Sequence, residues 1–450
     1  MVPSLPCSVP LERFQRTLSA RHLPTAPDVE KSPFNDAQYR DVLTGLRLRL
    51  EEPLAVYVHV PFCHVRCLYC ACETTVTHSL EKVDHYLDAL DVEMSMVTDI
   101  IGRGRPVVQL HVGGGTPNHL NEPQLARLME IVEHHFQIVS NACTSIECNP
   151  RRASAGQLEL LYGLGFRRIS FGVQDLNADV QRAIGRVQSL QMVRDVILTA
   201  RETGFQSINL DLIYGLPFQT RHSFQLTLNQ VLELEPDRVT CFSYAHDPVS
   251  RPHQHGISVD HLPDAAEKLT LFHDAVCAFT DAGYRWVGLD VFVRETDELA
   301  DAQSKGCLSR NAIGYTPMPA RQVLAFGPSG IGEVGGALLK NESDLHEWHH
   351  CLDQNQFPVA WGRRLTGSDQ RRREAILSLI CNLKLPPDQA SELERDCARL
   401  GDDVGYTVVE VFPDGIRVTP EGRYLLRGLY AEEDAFLEWS SGHWRCRLPT

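Results

Sequence analysis

The stretch LAVYVHVPFCHVRCLYCAC, residues 54–72, joins a run of apolar and β-branched residues to four closely spaced cysteines. Such a run is typical of a buried strand. Cys63, Cys67 and Cys70 have the spacing C-x3-C-x2-C, and three thiolates on one loop can bind three corners of an iron–sulfur cube, leaving its fourth iron open. A tetrahedral zinc site, which usually pairs two C-x2-C knuckles, and coincidental core cysteines are the alternatives. The stretch therefore predicts a strand that ends at a metal centre.

Beyond this strand, short β-branched runs alternate with amphipathic helical stretches until about residue 300. Repeated strand–helix units imply parallel pairing, and six or seven of them favour a full or partial (β/α) barrel over an open doubly wound sheet. In these folds the residues just past the carboxyl ends of the strands build the active site. The segments VPFCHVRC, GGGTP, ECNP, GVQD, LIYGLP and YAH each follow a predicted strand. We therefore expect these segments to converge.

The predicted α/β fold has four parts. Residues 1–50, rich in proline, serine and charge, form an N-terminal arm with one helix, and residues 51–300 form the barrel. Residues 301–365 form a linker and a segment that faces the substrate and the second cofactor molecule discussed below. Residues 366–450 form a small domain, in which a helix precedes two strands around a Pro-Asp-Gly turn, like a winged helix.

Composition limits the classes of function. The 450 residues include 58 acidic and 43 basic side chains, giving a net charge of -15. This charge disfavours nucleic acid and anionic membranes as partners, and a small-molecule substrate is expected. The chain starts without a signal-peptide pattern and has no stretch of ~20 apolar residues, so a cytoplasmic protein is expected. Ten of the 14 cysteines are scattered singly, which does not suit a disulfide scaffold.

The cysteine motif, with Tyr69 before its last cysteine, resembles the signature of the radical SAM superfamily. The segment YVHVPFCHVRCLYCAC is similar to the oxygen-independent coproporphyrinogen III oxidase family, and HVGGGTP, RISFGVQDLN and NLDLIYGLPFQT extend the likeness in order. The resemblance implies that Cys63, Cys67 and Cys70 bind a 4Fe-4S cluster, while Cys72 is not a ligand. It also implies that S-adenosyl-L-methionine (SAM) binds the open iron and is cleaved reductively to a 5'-deoxyadenosyl radical.

Further site residues follow from the same resemblance. A second SAM is expected beside the first, lined by Tyr57 and the backbone near Ala245 and Ile331, and Tyr57 and Glu147 are expected to act in catalysis. Without the resemblance, the glycine loop would be only a tight turn, and the polar residues would cap strand ends. The residues expected to hold the first SAM are Gly114, Gly115, Thr116, Glu147, Gln174, Arg186 and Asp211.

Three departures from the oxidases fall on segments expected near the substrate. The N-terminal arm keeps Pro-Thr-Ala at residues 24–26 but lacks the preceding tyrosines, Val291 replaces a histidine, and Ala312 and Ile313 replace a Phe-Gln pair. These departures suggest a protein that generates the same radical as the oxidases but acts on a different substrate. The expected reaction is therefore transfer of carbon from the second SAM to an unsaturated biosynthetic substrate, by C-methylation (a methyltransferase) or cyclopropanation.

Two alternatives stay open at this point. One is an oxidoreductase of porphyrin biosynthesis that decarboxylates coproporphyrinogen III to protoporphyrinogen IX. The other is a heme-binding chaperone. The enzymatic interpretations require a low-potential electron donor such as flavodoxin or ferredoxin, and a monomer is expected.

Overall fold

The computed structural model describes residues 34–318, 320–390, 393, 397–398, 407–426, 437–440 and 443–446. Its strands, in chain order, are β1 Leu54–Val60, β2 Phe62–Cys63, β3 Thr75–Val76, β4 Arg105–Gly114, β5 Phe136–Cys148, β6 Arg168–Gln174, β7 Ser207–Tyr214, β8 Arg238–Ser243, β9 Tyr284–Val287, β10 Val291–Arg294, β11 Ser309–Arg310, β12 Tyr315–Thr316, β13 Gln322–Phe326, β14 Ile331–Val334, β15 Ala337–Asn341, β16 Val359–Arg364, β17 Lys384–Leu385, β18 Val409–Phe412, β19 Gly415–Val418, β20 Leu437–Ser440 and β21 His443–Cys446.

The helices lie between these strands. They are α1 Asp36–Arg47, α2 Leu80–Ile101, α3 Glu122–His135, α4 Ala155–Gly163, α5 Ala178–Ala183, α6 Leu190–Thr203, α7 Arg221–Glu233, α8 Ala265–Asp281, α9 Glu298–Ser304, α10 Leu345–Asp353 and α11 Gly367–Asn382.

One twelve-stranded sheet organises the molecule, in the order β16-β15-β14-β13-β1-β4-β5-β6-β7-β8-β10-β9. Its seven neighbouring strands from β13 to β8 pair in parallel, and helices α2 to α7 connect successive strands from β1 to β8. The predicted strand–helix repeat is therefore confirmed. The strand order is linear, with β16 and β9 at its ends, which matches the partial barrel of the prediction.

Burial on both faces explains the composition of the parallel strands. In β1 every residue except Tyr57 is buried, as expected for a strand covered by helices on one side and by the barrel interior on the other. Phe171 and Phe326 are at most 1% exposed and belong to one continuous hydrophobic core. The carboxyl ends of these strands are thus held on a rigid base.

Helix α1 is the described part of the predicted N-terminal arm, and residues 1–33, with the Pro-Thr-Ala segment, lie outside the described residues. A reciprocal capping box between Asn35 and Gln38 starts the helix. Its inner face is part of the main core rather than a separate cover. The buried residues of this face are Tyr39, Val42, Leu43 and Leu46.

The segment 301–365, expected as a linker, contributes four strands to the main sheet. Strand β13 pairs with β1 in parallel, with Gln322 opposite Leu54. Strand β14 contains Gly332, where a Cβ would lie 3.0 Å from the carbonyl oxygen of Val323. The glycines that suggested a linker therefore allow close strand packing. The domain boundaries drawn from the sequence stay a prediction.

The described part of residues 366–450 contains the predicted helix and hairpin. Helix α11 precedes a three-stranded antiparallel sheet, β17-β19-β18. Phe412 pairs with Gly415 across the Pro-Asp turn. Strands β20 and β21 form a further hairpin. Within the described ranges, no helix is both long and apolar enough to cross a membrane.

Candidate active site

A cavity of about 940 Å³ lies at the carboxyl ends of the parallel strands. Residues following β1, β4, β5, β6 and β8, and residues within β7 up to Ile213, contribute to its wall. The six segments that the sequence predicted to converge therefore do so. This is the place where strand–helix folds usually build their active sites.

The three cysteines of the C-x3-C-x2-C motif all line this cavity. Cys63 and Cys67 are only 8% and 6% exposed, and Cys70 is half-buried. The Sγ atom of Cys63 lies 3.3 Å from the Oγ1 atom of Thr116, and Arg186 Nη1 donates to the Sγ atom of Cys67 over 3.7 Å. All three cysteines therefore lie at the cavity wall, and the sulfurs of Cys63 and Cys67 each contact a polar side chain.

The thiols suit a cluster better than a single metal ion. In the described part of the chain, no three His, Cys, Asp or Glu side chains are arranged to hold one ion. A cube, by contrast, takes one thiolate at each iron. A hydrogen bond with the side chain of Cys72 and the positive charges of Arg186 and Arg66 outweigh burial and lower the pKa of Cys70 to about 7. Deprotonation, which metal binding requires, is thus favoured at Cys70.

The glycine loop packs directly against the cysteine loop. Gly114 has a φ of 110°, which side chains other than glycine rarely adopt. A Cβ at Gly115 would lie 2.8 Å from the carbonyl oxygen of Phe62 and 3.2 Å from Cys63 Sγ. Only a residue without a side chain fits this close approach. The loop is therefore a backbone cradle beside the three thiols.

Glu147 is held in its ionised form at the end of β5. Its carboxylate accepts hydrogen bonds from the Gly114 N–H over 3.2 Å and from His111 over 3.3 Å. Burial raises the pKa of Glu147, but the hydrogen bond and charge interaction with His111, together with the Gly114 N–H, outweigh burial and lower it. The site thus presents a fixed negative charge next to the glycine loop.

Asp211 lies on the neighbouring part of the wall, in β7, and behaves differently. It accepts hydrogen bonds from Ser170 over 2.9 Å and from Asn209 over 2.7 Å. Burial, followed by the negative charge of Glu147, raises the pKa of Asp211 to about 7. The pKa values of two carboxyl groups in one cavity are therefore shifted in opposite directions.

Several polar atoms on the wall have no hydrogen-bond partner among the described residues. They include Oε1 of Gln174, Nε of Arg186 and Oγ of Ser243. Gln174 also has a φ of 69°, a strained backbone for a residue with a side chain. Buried polar groups are nearly always satisfied, so these atoms indicate a polar ligand in the cavity.

Most of the predicted site residues meet here. Tyr57 and Ile331 lie outside the cavity lining. The Tyr57 hydroxyl is 3.0 Å from His59 Nδ1, while Ile331 lies in β14, which β13 separates from β1. The roles of both residues stay predictions. Besides the three cysteines, the lining contains Gly114, Gly115, Thr116, Glu147, Gln174, Arg186, Asp211 and Ala245.

The sequence reasoning missed the partners that set the charge of the site. Ser170 and Asn209 each lie two positions before a cavity residue on the same strand, and His111 lies two positions after Gln109, which also lines the cavity. Alternate residues of a strand point to the same face. Polar residues at every second position of otherwise apolar strands were therefore a signal that the barrel interior is a polar site.

Comparison with known proteins agrees with this geometry. Residues 57–231 match the Radical SAM superfamily. The chain is 40% identical over 396 residues to the oxygen-independent coproporphyrinogen III oxidase of Escherichia coli (strain K12), covering 86% of each chain. It is 38% identical over 423 residues to the enzyme of the same name from Salmonella typhimurium, covering 92% of each chain.

A solved structure of the coproporphyrinogen III oxidase from Escherichia coli, described as a radical SAM enzyme, superposes with a TM-score of 0.85 at 36% identity, covering 93% of this chain and 98% of that one. Family membership implies a 4Fe-4S cluster and SAM, and the three thiols, the glycine cradle and the unpartnered polar atoms fit both groups. The chain belongs to the radical SAM superfamily and, within it, to the oxygen-independent coproporphyrinogen III oxidase family.

Proposed function

We propose that the protein oxidatively decarboxylates two propionate side chains of coproporphyrinogen III, giving protoporphyrinogen IX. The observation that carries this proposal is the extent of the match, which covers 93% of this chain and 98% of the Escherichia coli coproporphyrinogen III oxidase structure. The shared fold therefore extends over the segments expected on the substrate side as well as over those expected to bind the cluster. The carbon transfer that we expected from Val291, Ala312 and Ile313 has no support among the relatives compared, which are named as oxidases.

The charge of the cavity suits a substrate with four carboxylates. In a chain of net charge -15, seven arginines and three acidic residues line this one space. Guanidinium groups bind carboxylates through paired hydrogen bonds. Arg168 and Arg238 are also ion-paired with Glu298, which fixes their positions. The arginines are Arg66, Arg151, Arg152, Arg168, Arg186, Arg238 and Arg310, and the acids are Glu147, Asp211 and Asp290.

We assign the predicted site residues as follows. Cys63, Cys67 and Cys70 hold the cluster. When bound, the cluster and SAM supply a 5'-deoxyadenosyl radical that takes a hydrogen atom from the substrate. The glycine loop, Glu147, Gln174, Arg186 and Asp211 hold the first SAM. A second SAM beside it, near Tyr57, Ala245 and Ile331, completes the assignment.

In this proposal the protein's own side chains bind and orient SAM and the substrate, and they exclude water from the site. Glu147, kept ionised by His111 and Gly114, can accept hydrogen bonds from a cationic amino group. Arginines on the wall hold the substrate carboxylates. The buried interior excludes water, which limits side reactions of a radical. Each decarboxylation would transfer one hydrogen atom from the propionate to the 5'-deoxyadenosyl radical and one electron to a one-electron acceptor such as an oxidised carrier protein, release one CO2 and leave a vinyl group.

We further propose that the protein works as a monomer and receives electrons from a low-potential carrier such as flavodoxin or ferredoxin. We propose a small-molecule substrate, and we propose neither nucleic acid nor a membrane as a partner. The negative net charge of the chain supports this choice of partners.

An anaerobic assay of the reconstituted protein tests the reaction. Reductant, SAM and coproporphyrinogen III are supplied, and CO2, protoporphyrinogen IX, 5'-deoxyadenosine and S-adenosylhomocysteine are followed. We expect CO2 and 5'-deoxyadenosine with no S-adenosylhomocysteine. Cys63→Ala should abolish both products, whereas Cys307→Ala, which changes an exposed cysteine outside the cavity, should leave them unchanged.

Two other outcomes would overturn the proposal. S-adenosylhomocysteine without CO2 would indicate carbon transfer. Stoichiometric heme binding without cleavage of SAM would indicate the chaperone alternative.

A further inference from the structure

A hydrogen-bonded network of four polar side chains lies on the inner face of strands β6, β7 and β8, and we call it the inner network. It consists of Ser170, Asn209, Asp211 and Thr240. In the sheet register, Ser170 lies opposite Asn209, and Asp211 lies opposite Thr240. Alternate residues of a strand point to the same face, and all four residues line the cavity. The inner network is therefore part of the active-site wall rather than of the apolar core.

The hydrogen bonds of the inner network lead from Thr240 to Asp211. Thr240 Oγ1 donates to Asn209 Oδ1 over 3.0 Å. Asn209 Nδ2 donates to Ser170 Oγ over 2.8 Å and to Asp211 Oδ1 over 2.7 Å. Because the Ser170 hydroxyl has a single proton, it accepts from Asn209 and donates to Asp211 Oδ2 over 2.9 Å. Each oxygen of the Asp211 carboxylate thus receives one hydrogen bond from the network.

Thr240 holds the Asn209 amide in the orientation that serves Asp211. An asparagine side chain has an acceptor oxygen on one side and a donor nitrogen on the other. Because the Thr240 hydroxyl donates to the amide oxygen, the amide nitrogen faces Ser170 and Asp211. The reversed amide would place its oxygen against the Asp211 carboxylate, where two acceptors would meet. Thr240 therefore acts on Asp211 through Asn209.

The inner network leaves Asp211 able to bind a further donor. An ionised carboxylate can accept about four hydrogen bonds, and the network supplies two of them. SAM carries hydroxyl and amino groups that can donate to the remaining positions. Hydrogen bonds to a charged acceptor are stronger than those between neutral groups and depend on direction. The orientation of this carboxylate should therefore matter for affinity.

We propose that Thr240, Asn209 and Ser170 are positioning residues for SAM, which hold the two oxygens of the Asp211 carboxylate in the orientation that accepts hydrogen bonds from it. The hydrogen bonds end at Asp211, the member of the inner network assigned above to SAM. This inference rests on that assignment, which is part of the proposed function, but not on the identity of the substrate. A network that only satisfied the polar groups of the wall would have no effect on the affinity for SAM.

The pKa of Asp211 should make SAM binding depend on pH. Burial, followed by the charge of Glu147, raises this pKa to about 7. As the pH falls below about 7, the carboxyl group takes up a proton and loses acceptor capacity, so the affinity for SAM should fall. Loss of a donor to the ionised form raises the pKa. The charged side chains that line the cavity on the adjoining elements, and that stay unchanged in the test, are Glu147 on β5, Arg168 on β6, Arg186 after α5, Arg238 on β8 and Asp290 before β10.

The test measures the Kd for SAM on the reconstituted holoenzyme without reductant, by equilibrium dialysis from about pH 6 to about pH 9. Thr240→Val removes the hydroxyl and keeps the branched side chain, whereas Thr240→Ser keeps the hydroxyl. Ser170→Ala removes the donor to Asp211 Oδ2 and tests the carboxylate independently of Thr240. Thr144→Val is the matched control, because Thr144 is a buried threonine of β5 outside the cavity lining and donates to the Gly165 carbonyl oxygen over 2.7 Å. The melting temperature shows whether each variant is folded.

We expect Thr240→Val and Ser170→Ala to weaken the Kd for SAM about tenfold at neutral pH, and Thr240→Ser to stay within about twofold of the unaltered protein. The pH midpoint of SAM binding should move to higher pH in Ser170→Ala. Thr144→Val should lower the melting temperature without changing the Kd. In an Asp211→Asn background, Thr240→Val should change the Kd by less than about twofold, because both changes act through the same carboxylate.

Three results would overturn the positioning role. One is an unchanged Kd in both Thr240→Val and Ser170→Ala. Another is an equal loss of affinity in Thr240→Ser or in Thr144→Val, which would mean that the packing of the wall determines the affinity rather than its hydrogen bonds. The third is a full loss from Thr240→Val in the Asp211→Asn background. Failure of the proposed function would look different, because the Kd values would follow the expected order while SAM cleavage released no CO2 from coproporphyrinogen III.

Discussion

Arg186 is the residue that most directly joins the cysteine loop to the rest of the cavity. It is 7% exposed, and while Nη1 reaches Cys67 Sγ, Nη2 donates to the carbonyl oxygen of Gly172 over 2.6 Å. Although burial lowers the pKa of Arg186, the charges of Tyr69 and Cys67 raise it, so a full positive charge is held beside the thiol.

Replacing the guanidinium of Arg186 should therefore reduce the activity of the site. For Arg186→Gln we expect SAM cleavage to fall by about 10–100-fold, the usual effect of removing a group that supports a metal ligand. Arg186→Lys keeps the charge but loses the second hydrogen bond, and should retain part of the activity. The measurement is 5'-deoxyadenosine formed per cluster, with iron and sulfide content determined for each variant. Equal activity in all three proteins would contradict this role.

Glu93 is a buried carboxyl group outside the active site, and it should make stability depend on pH. It is 3% exposed and accepts hydrogen bonds from the Gly327 N–H over 2.8 Å and from Asn341 over 2.6 Å. Burial nevertheless raises the pKa of Glu93 from 4.5 to about 7. Between these two values the folded state holds a proton that the unfolded state has released.

Stability should accordingly fall as the pH rises from about 4.5 to about 7, and then level off, with a loss on the order of 3 kcal/mol from this group. Glu93→Gln removes the titrating group, so the stability difference between the two proteins should shrink across this window, although the variant also loses an accepted hydrogen bond. Anaerobic thermal unfolding at several pH values measures the difference. A difference that stays constant from pH 5 to pH 8 would show that Glu93 does not titrate as described.

At the scale of elements, the contact between the glycine loop and the cysteine loop decides whether the site can assemble. A Cβ on Gly115 would meet the backbone oxygen of Phe62 at 2.8 Å, and a backbone atom cannot turn away as a flexible side chain can. Gly115→Ala should therefore displace the cysteine loop and reduce cluster incorporation. Gly163→Ala, at the end of α4 with nothing within 4 Å of its added Cβ, is the matched control and should be neutral.

Iron and sulfide per chain after reconstitution, together with the melting temperature, check this prediction. We expect Gly115→Ala to lose most of its cluster while the melting temperature of the protein before reconstitution changes little, because the strain is local to two loops. Normal cluster content in Gly115→Ala would contradict the close packing described here.

The elements also explain which parts of the fold could be predicted. The parallel strands were recognised because they are long, apolar and followed by polar loops, and the cysteine spacing located the site among them. Strands β13 to β16 were missed because each is only four to six residues long, and because the parallel partner of β13 is distant in sequence, as with Gln322 and Leu54. Local patterns carry no information about such pairings. His111, which was also missed, is a different case. It lies two residues before Gly113 on the same strand and therefore on the same face, and this spacing is visible in the sequence.

At the scale of the whole molecule, the charge of the cavity lining is opposite in sign to the net charge of the chain. The chain carries a net charge of -15, yet seven arginines line the cavity. An acidic surface with a basic cavity repels polyanions in general while attracting small anions to one place. This arrangement accounts for a small, highly carboxylated substrate better than any single contact does.

The same arrangement predicts how substrate binding responds to salt. Raising the ionic strength from about 0.05 M to about 0.5 M should raise KM for coproporphyrinogen III several-fold, because screening weakens attraction over distances beyond a few ångströms. The KM for SAM should change by less than about twofold over the same range if, as proposed, SAM binds through short contacts inside the wall. Steady-state decarboxylation with dithionite as reductant provides both values.

Arg310→Gln removes one positive charge from the cavity lining and should raise KM for coproporphyrinogen III while reducing its dependence on salt. Arg321→Gln is the matched control, because Arg321 is an exposed residue paired with Glu374 and outside the lining. If both variants respond to salt like the unaltered protein, the cavity charge does not select the substrate. If only Arg310→Gln loses the dependence, the arginines of the cavity act as the counter-charge for the propionate groups, and the acidic character of the remaining surface serves to keep other anions away.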